Sequence, residues 1–186
     1  VEKALSLVGR DATAGEEDFQ KVVEFSLHNE SIVAYTGGME DCVFCKIIAG
    51  AIPAEKVYED ERFVAFLDIK PLHVGHTLLV SKKHYRNLFD MPAKLLREVG
   101  PVLQKLATAI QSSTKADGIN IGWNNEGAAG QLIFHSHVHI MPRYKDDGHV
   151  HWGGKEDVSP TELSTAAATI RAELANPPSS DSSVVK

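Results

Sequence analysis

The segment HSHVHIMPR, residues 135–143, constrains this chain more than any other stretch. His135, His137 and His139 stand at alternate positions, with Phe134, Ser136, Val138 and Ile140 between and beside them. Side chains alternate across a strand, so the imidazoles share one face while the other, mostly apolar, face enters a core. At a rise of about 3.3 Å per residue, His135 and His139 would lie roughly 13 Å apart at their Cα atoms. Zinc–imidazole bonds are only about 2.0–2.1 Å long, so three rings in this row do not converge on one metal. A row without function would bury ionisable groups at a cost. The better reading is a central nucleophile flanked by groups that donate hydrogen bonds to a charged substrate.

The segments before this strand supply its sheet. KVYEDERFVAFLDI holds two β-rich runs around the turn EDER and predicts a hairpin, HTLLVS predicts a third strand, and GINIGWN a fourth. MPAKLLREVGPVLQKLATAIQ predicts one long helix with Leu95, Leu96, Val99, Val102, Leu103, Leu106 and Ile110 in a stripe, and Pro101 predicts a kink within it. Strands and helices do not alternate as βαβ units, so the expectation is an α+β domain with an antiparallel sheet.

Three regions differ in character. Residues 1–39 form an N-terminal extension in which Thr13 and Glu16 make a capping-box pattern ahead of Phe19, Val22, Val23 and Leu27. Residues 40–152 form the domain proper. Residues 153–186 hold a helix with Ser159 as N-cap and Pro160 at its first position, then the polar tail NPPSSDSSVVK, expected to be disordered. A formal charge of -6 argues against a general nucleic-acid binder but leaves room for a small nucleotide. No apolar run approaches the roughly 20 residues needed to span a bilayer. Two cysteines, Cys42 and Cys45, fit a reducing compartment better than a disulfide scaffold. The expected location is cytoplasmic, or nuclear or organellar if a targeting segment precedes Val1.

HSHVHIM resembles the signature of the histidine triad (HIT) family, His-x-His-x-His followed by apolar residues. The resemblance runs over about residues 41–152. CVFCKIIAGAIPAEKVYEDERFVAFLDIKPLHVGHTLLVSKKH is similar to the opening half of the family's Hint branch, and NNEGAAGQLIFHSHVHIMPR to its closing half. It implies the HIT fold: a five-stranded antiparallel sheet with two main helices.

It also implies an activity, hydrolysis of adenosine 5'-phosphoramidates through a covalent nucleotidyl-histidine, with no catalytic metal. In that reading His137 attacks the α-phosphate, which a neutral imidazole can do near pH 7. His139 holds phosphate oxygens or the leaving group's bridging atom, His76 supports the cluster from the neighbouring strand, and Asn124 binds near the scissile bond and ribose. Gly130 leads the backbone contacts to phosphate, with Gln131 and Leu132 beside it. Leu132 stands where Hint proteins often have Ser, so any contact there is through backbone. Asp68 takes the ribose hydroxyls, and Val43, Phe44, Ile47, Phe66, Ile69 and Leu78 line the base.

Some HIT proteins carry structural zinc on Cys2His2, and Cys42, Cys45, His84 and His135 match that set; a lone CxxC leaves open a pair of buried reduced cysteines. The resemblance further implies a homodimer acting on conjugates of purine nucleotides such as AMP or GMP, with Trp152 near the partner subunit's site. Splitting of dinucleoside polyphosphates (Ap3A or Ap4A) or of adenylyl sulfate, and a zinc-stabilised nucleotide-binding scaffold, stay open as alternatives.

Overall fold

The computed structural model describes residues 42–148 and 156–176. The helix expected over residues 13–27, the HVHW stretch with Trp152, and the tail after Asn176 lie outside them. Within them the order is α1 (Val43–Ile48), β1 (Lys56–Glu59), β2 (Phe63–Leu67), β3 (Thr77–Ser81), α2 (Ala93–Thr114), β4 (Gly118–Gly122), β5 (His137–Arg143) and α3 (Pro160–Ala175). Short 3-10 turns cover Leu88–Asp90 and Gly127–Ala129.

The five strands form one sheet in the order β1-β2-β3-β5-β4, every pair antiparallel. Register places Val64 opposite Val80 and Phe66 opposite Leu78, then Val80 opposite His137 and Leu78 opposite His139. With a period of two, these residues line one face, and α1 covers part of it through Phe44 and Ile47. On the other face Phe63, Leu79 and Val138 meet Val99 of α2. Both faces of β2 are therefore covered, which is why all five residues of Phe63–Leu67 are buried without alternation.

α2 is continuous through Pro101 over 22 residues, and its buried seam is Val99, Leu106, Ala109 and Ile110, with the other predicted apolar positions half-buried. α3 begins as expected, with Pro160 at its first turn, and Ser159 and Glu162 complete a reciprocal capping box. Leu163, Ala167 and Ile170 of α3 are fully buried against α2, β1 and β2, so the helix expected in a terminal extension is part of the packed core. No helix of the described residues is long and apolar enough to cross a membrane.

Two local expectations change. The strand expected over HSHVHIMPR starts only at His137, so His135 lies in the bend before it, its ring still on the side that α1 covers, 6.0 Å from the Phe44 ring. Two bonds hold that bend: Ser136 N–H donates to Tyr85 O at 2.6 Å and the His135 ring donates to Ser81 O at 2.7 Å. The second change is α1, whose brevity hid it from periodicity; its i,i+3 geometry puts Cys42 and Cys45 on one side.

Candidate active site and Cys2His2 cluster

His76, His137 and His139 converge where β3 and β5 pair. Gly75 makes the entry to β3 possible: its φ is +97° and a Cβ there would lie 2.6 Å from Thr114 Cγ2. The turn closes with His76 N–H donating to His73 O at 3.0 Å, which aims the His76 ring at β5.

Bond partners assign the tautomers. Leu72 N–H donates to His76 Nδ1 at 3.1 Å, so that nitrogen carries no proton and Nε2 does. His76 Nε2–H then donates to His139 Nδ1 at 2.9 Å, which leaves the His139 proton on Nε2. His137 is set the other way: its Nδ1–H donates to His135 O at 2.6 Å, so Nε2 carries the lone pair. One ring thus offers a nucleophile and its neighbour, 5.0 Å away centroid to centroid, offers a donor.

Burial keeps these rings neutral. It lowers the His137 pKa against the opposing pull of the His135 carbonyl. Burial, then the nearby His137 and His73, push His76 down to about 4; burial, then His137 and His76, push His139 to about 3. Asp68 Oδ2 lies 3.8 Å from His76 Nδ1, and its Oδ1 accepts from Lys70 N–H at 2.9 Å.

Of the residues expected around a base, Phe44, Ile47, Phe66 and Leu78 are buried and packed together, while Val43 and Ile69 are half-buried. Phe44 stands edge-on to Phe66 at 5.4 Å and to His137 at 5.1 Å, so this cluster is also the wall behind the nucleophile. Asn124 Nδ2 donates to Gly130 O at 3.2 Å, closing the loop between β4 and β5. Gly130 is exposed at φ +81°, but its N–H already donates to Gly127 O at 3.0 Å. Gln131 is turned inward: its side chain donates to Arg86 O and Ile133 O and accepts from Glu126 N–H, and its own N–H goes to Glu126 O. Both polar atoms of its side chain are hydrogen-bonded within the protein and brace the loop. Leu132 is 75% exposed.

The second cluster gathers Cys42, Cys45, His84 and His135, with one ligand atom of each inside 4.8 Å of the others. Sulfur-to-Nδ1 separations are 3.4 Å for Cys42–His135, 3.3 Å for Cys45–His84 and 3.5 Å for Cys45–His135. Bond lengths of about 2.3 Å to sulfur and 2.05 Å to nitrogen imply tetrahedral edges of about 3.5 Å, so the donor set fits zinc. His135 Nε2–H donates to Ser81 O, the outer bond that fixes a ligating imidazole.

Sequence reasoning left His73 without a role. Its ring nitrogens face Glu156 Oε1 at 2.7 Å and Asp147 Oδ2 at 3.3 Å, linking the turn before His76 to the segment leading into α3. Nothing local in the sequence signals that long-range contact. A cleft of about 420 Å³ between α2 and α3 is lined by Val74, Thr114, Tyr144, Thr161 and Thr165.

The family model described as "HIT domain" matches residues 49–146, more than half of the chain. The chain belongs to the HIT family. That places it in a superfamily of nucleotide hydrolases and transferases. It is 42% identical over 140 residues to "Protein hit" of Bacillus subtilis, covering 74% of this chain and 97% of that one. It is 38% identical over 137 residues to adenylylsulfatase HINT3 of Arabidopsis thaliana, covering 74% of this chain and 64% of that protein. Among solved HIT structures, a zinc-bound histidine triad family protein from Mycobacterium smegmatis superposes with a TM-score of 0.66 at 37% identity, covering 74% and 96% of the two chains.

Proposed function

We propose that this HIT protein, of the Hint branch, hydrolyses adenosine 5'-phosphoramidates through a nucleotidyl intermediate on His137. The opposed tautomers of His137 and His139 carry this reading. His137 Nε2 forms a bond to the α-phosphorus as the bond to the leaving nitrogen breaks, and that nitrogen takes a proton from solvent and leaves as an amine. Water then attacks the phosphorus as its bond to His137 Nε2 breaks, the water's proton passes to solvent, and the products are AMP and neutral His137. In this reading His139 Nε2–H stabilises the charge that grows on the phosphoryl oxygens. Asp68 receives the ribose hydroxyls, and Asn124 and the Gly130 turn bind beside the phosphate. No step calls for a metal.

Adenylyl sulfate is the second reading, because the Arabidopsis relative is an adenylylsulfatase and the same nucleophile would displace sulfate. A panel of AMP-NH2, Ap4A and adenylyl sulfate at equal concentration tests both, with His137→Asn as control. The expected result is AMP release from AMP-NH2, lost by more than about 100-fold in the variant. Tight AMP binding with negligible turnover of all three in the wild type would leave a binding scaffold instead.

Zinc on Cys42, Cys45, His84 and His135 acts in this reading as a structural ligand, tying α1 to the bend before β5. The protein acts as a C2 homodimer, supported by the position of β4 at the sheet edge with Ile121 47% exposed on it.

A further inference from the structure

The loop between β4 and β5 contains one residue in a backbone conformation that side chains avoid. Glu126 has φ +74° and ψ +159°, a region occupied almost only by glycine. Such a conformation persists only where its surroundings over-determine it. Here they do. The Glu126 carboxylate accepts two parallel bonds from Arg86, Nε at 3.0 Å and Nη2 at 2.7 Å, and a third from Asn87 Nδ2 at 2.6 Å. Its N–H donates to Gln131 Oε1 at 2.8 Å, and its carbonyl accepts from Ala129 and Gln131 N–H at 3.0 and 3.1 Å. The Arg86 guanidinium lies 4.0 Å from the Phe134 ring centroid, which limits the freedom of the pair. Exposed ion pairs are usually weak, but bidentate arginine–carboxylate geometry within a network is the exception.

We propose that Arg86 is a positioning residue that, by gripping Glu126, holds the Asn124–Gln131 loop in the shape that presents Asn124 and Gly130 to the nucleotide. The role of those two residues rests on the hydrolase reading; the grip itself does not. Without Arg86, Glu126 would relax toward negative φ, and the Asn124–Gly130 bond that closes the loop would open.

The test uses the full chain. Arg86→Met keeps an apolar stem over Phe134 and removes the grip. Amide hydrogen exchange, read with no substrate present, should quicken at Glu126, Ala129, Gly130 and Gln131, and AMP-NH2 turnover (kcat/KM) should fall by about tenfold. Adding Glu126→Gly should restore both, because glycine holds that conformation without a clamp, whereas adding Glu126→Gln should restore neither. Unchanged loop exchange in Arg86→Met would overturn the proposal. So would a glycine double variant with restored exchange and still-slow turnover, since Arg86 would then touch the substrate directly. A wild type inactive on every conjugate would remove the hydrolase reading, and the exchange pattern would still decide the grip.

Discussion

His76 Nε2 and His139 Nδ1 lie 2.9 Å apart, and the direction of the proton between them sets what the site presents to a substrate. The Leu72 N–H on the far nitrogen of His76 forces the proton toward His139, and so the His139 proton outward. A backbone amide in the β2–β3 turn thereby determines the tautomer of a residue on β5.

Replacing His76 should therefore act on turnover more than on binding. His76→Leu removes the donor to His139 Nδ1, and AMP-NH2 kcat should drop by about 10–100-fold with a smaller change in KM. Steady-state kinetics measures the split; a pure KM effect would contradict a relay.

Acid should destabilise the fold. His76 titrates at about 4 when folded, below its ordinary value of 6.5, so the unfolded chain binds more protons between those values. Stability is fully present above about pH 6.5 and is lost as the pH falls toward 4, by on the order of 3 kcal/mol from this residue alone. Urea midpoints between pH 7.5 and 4.5 measure the slope, which should flatten in His76→Leu.

Metal uptake at the second cluster should release protons. Burial, then the neighbouring Cys42, raise the Cys45 thiol to about 12, so it is protonated at neutral pH until a cation replaces the proton. Zinc affinity should rise with pH, and chelation should lower the melting temperature. Calorimetry in buffers of different ionisation enthalpy counts the protons. Less than about a tenth of an equivalent of zinc in protein purified without chelator, with both thiols titratable, would leave a plain pair of buried cysteines.

Gly75→Ala places a Cβ 2.6 Å from Thr114 Cγ2 at φ +97°. The expected loss is about 1–3 kcal/mol from backbone strain, with displacement of His76 lowering kcat as well. Gly50→Ala, also at positive φ (+75°) but with nothing within 4 Å, should cost only the backbone part and leave kcat alone. Denaturation curves and kinetics on both variants separate the contributions.

Pairing of β4 across a two-fold axis predicts a dimer near twice the 20.3 kDa of the chain. Sedimentation at micromolar concentration checks it, and Ile121→Lys on the exposed edge should shift the protein toward monomer.

Much of the fold follows from local pattern. Alternation in HSHVHIMPR, apolar runs at FVAFL and HTLLVS, and the helical stripe from Leu95 to Ile110 each record a short-range periodicity, and the structure has strands and a helix there. Resemblance rather than periodicity pointed to Cys42, Cys45, His84 and His135, and the fold does bring them together. The start of β5 was not legible, because bonds to Tyr85 and Ser81, some fifty residues earlier, bend the chain at His135 and Ser136 ahead of the strand. For the same reason His73 and Glu126 gave no local signal: their roles depend on Glu156, Asp147 and Arg86, which only folding places beside them. The sequence by itself determined which residues can be strand, helix or ligand, since those properties depend on near neighbours and side-chain chemistry. Only the tertiary structure decided which nitrogen of each histidine holds its proton, because that choice belongs to bond partners that folding supplies: distant ones for His139 (His76) and His135 (Ser81), and near ones that the local backbone shape aims at the ring for His76 (Leu72) and His137 (His135 O).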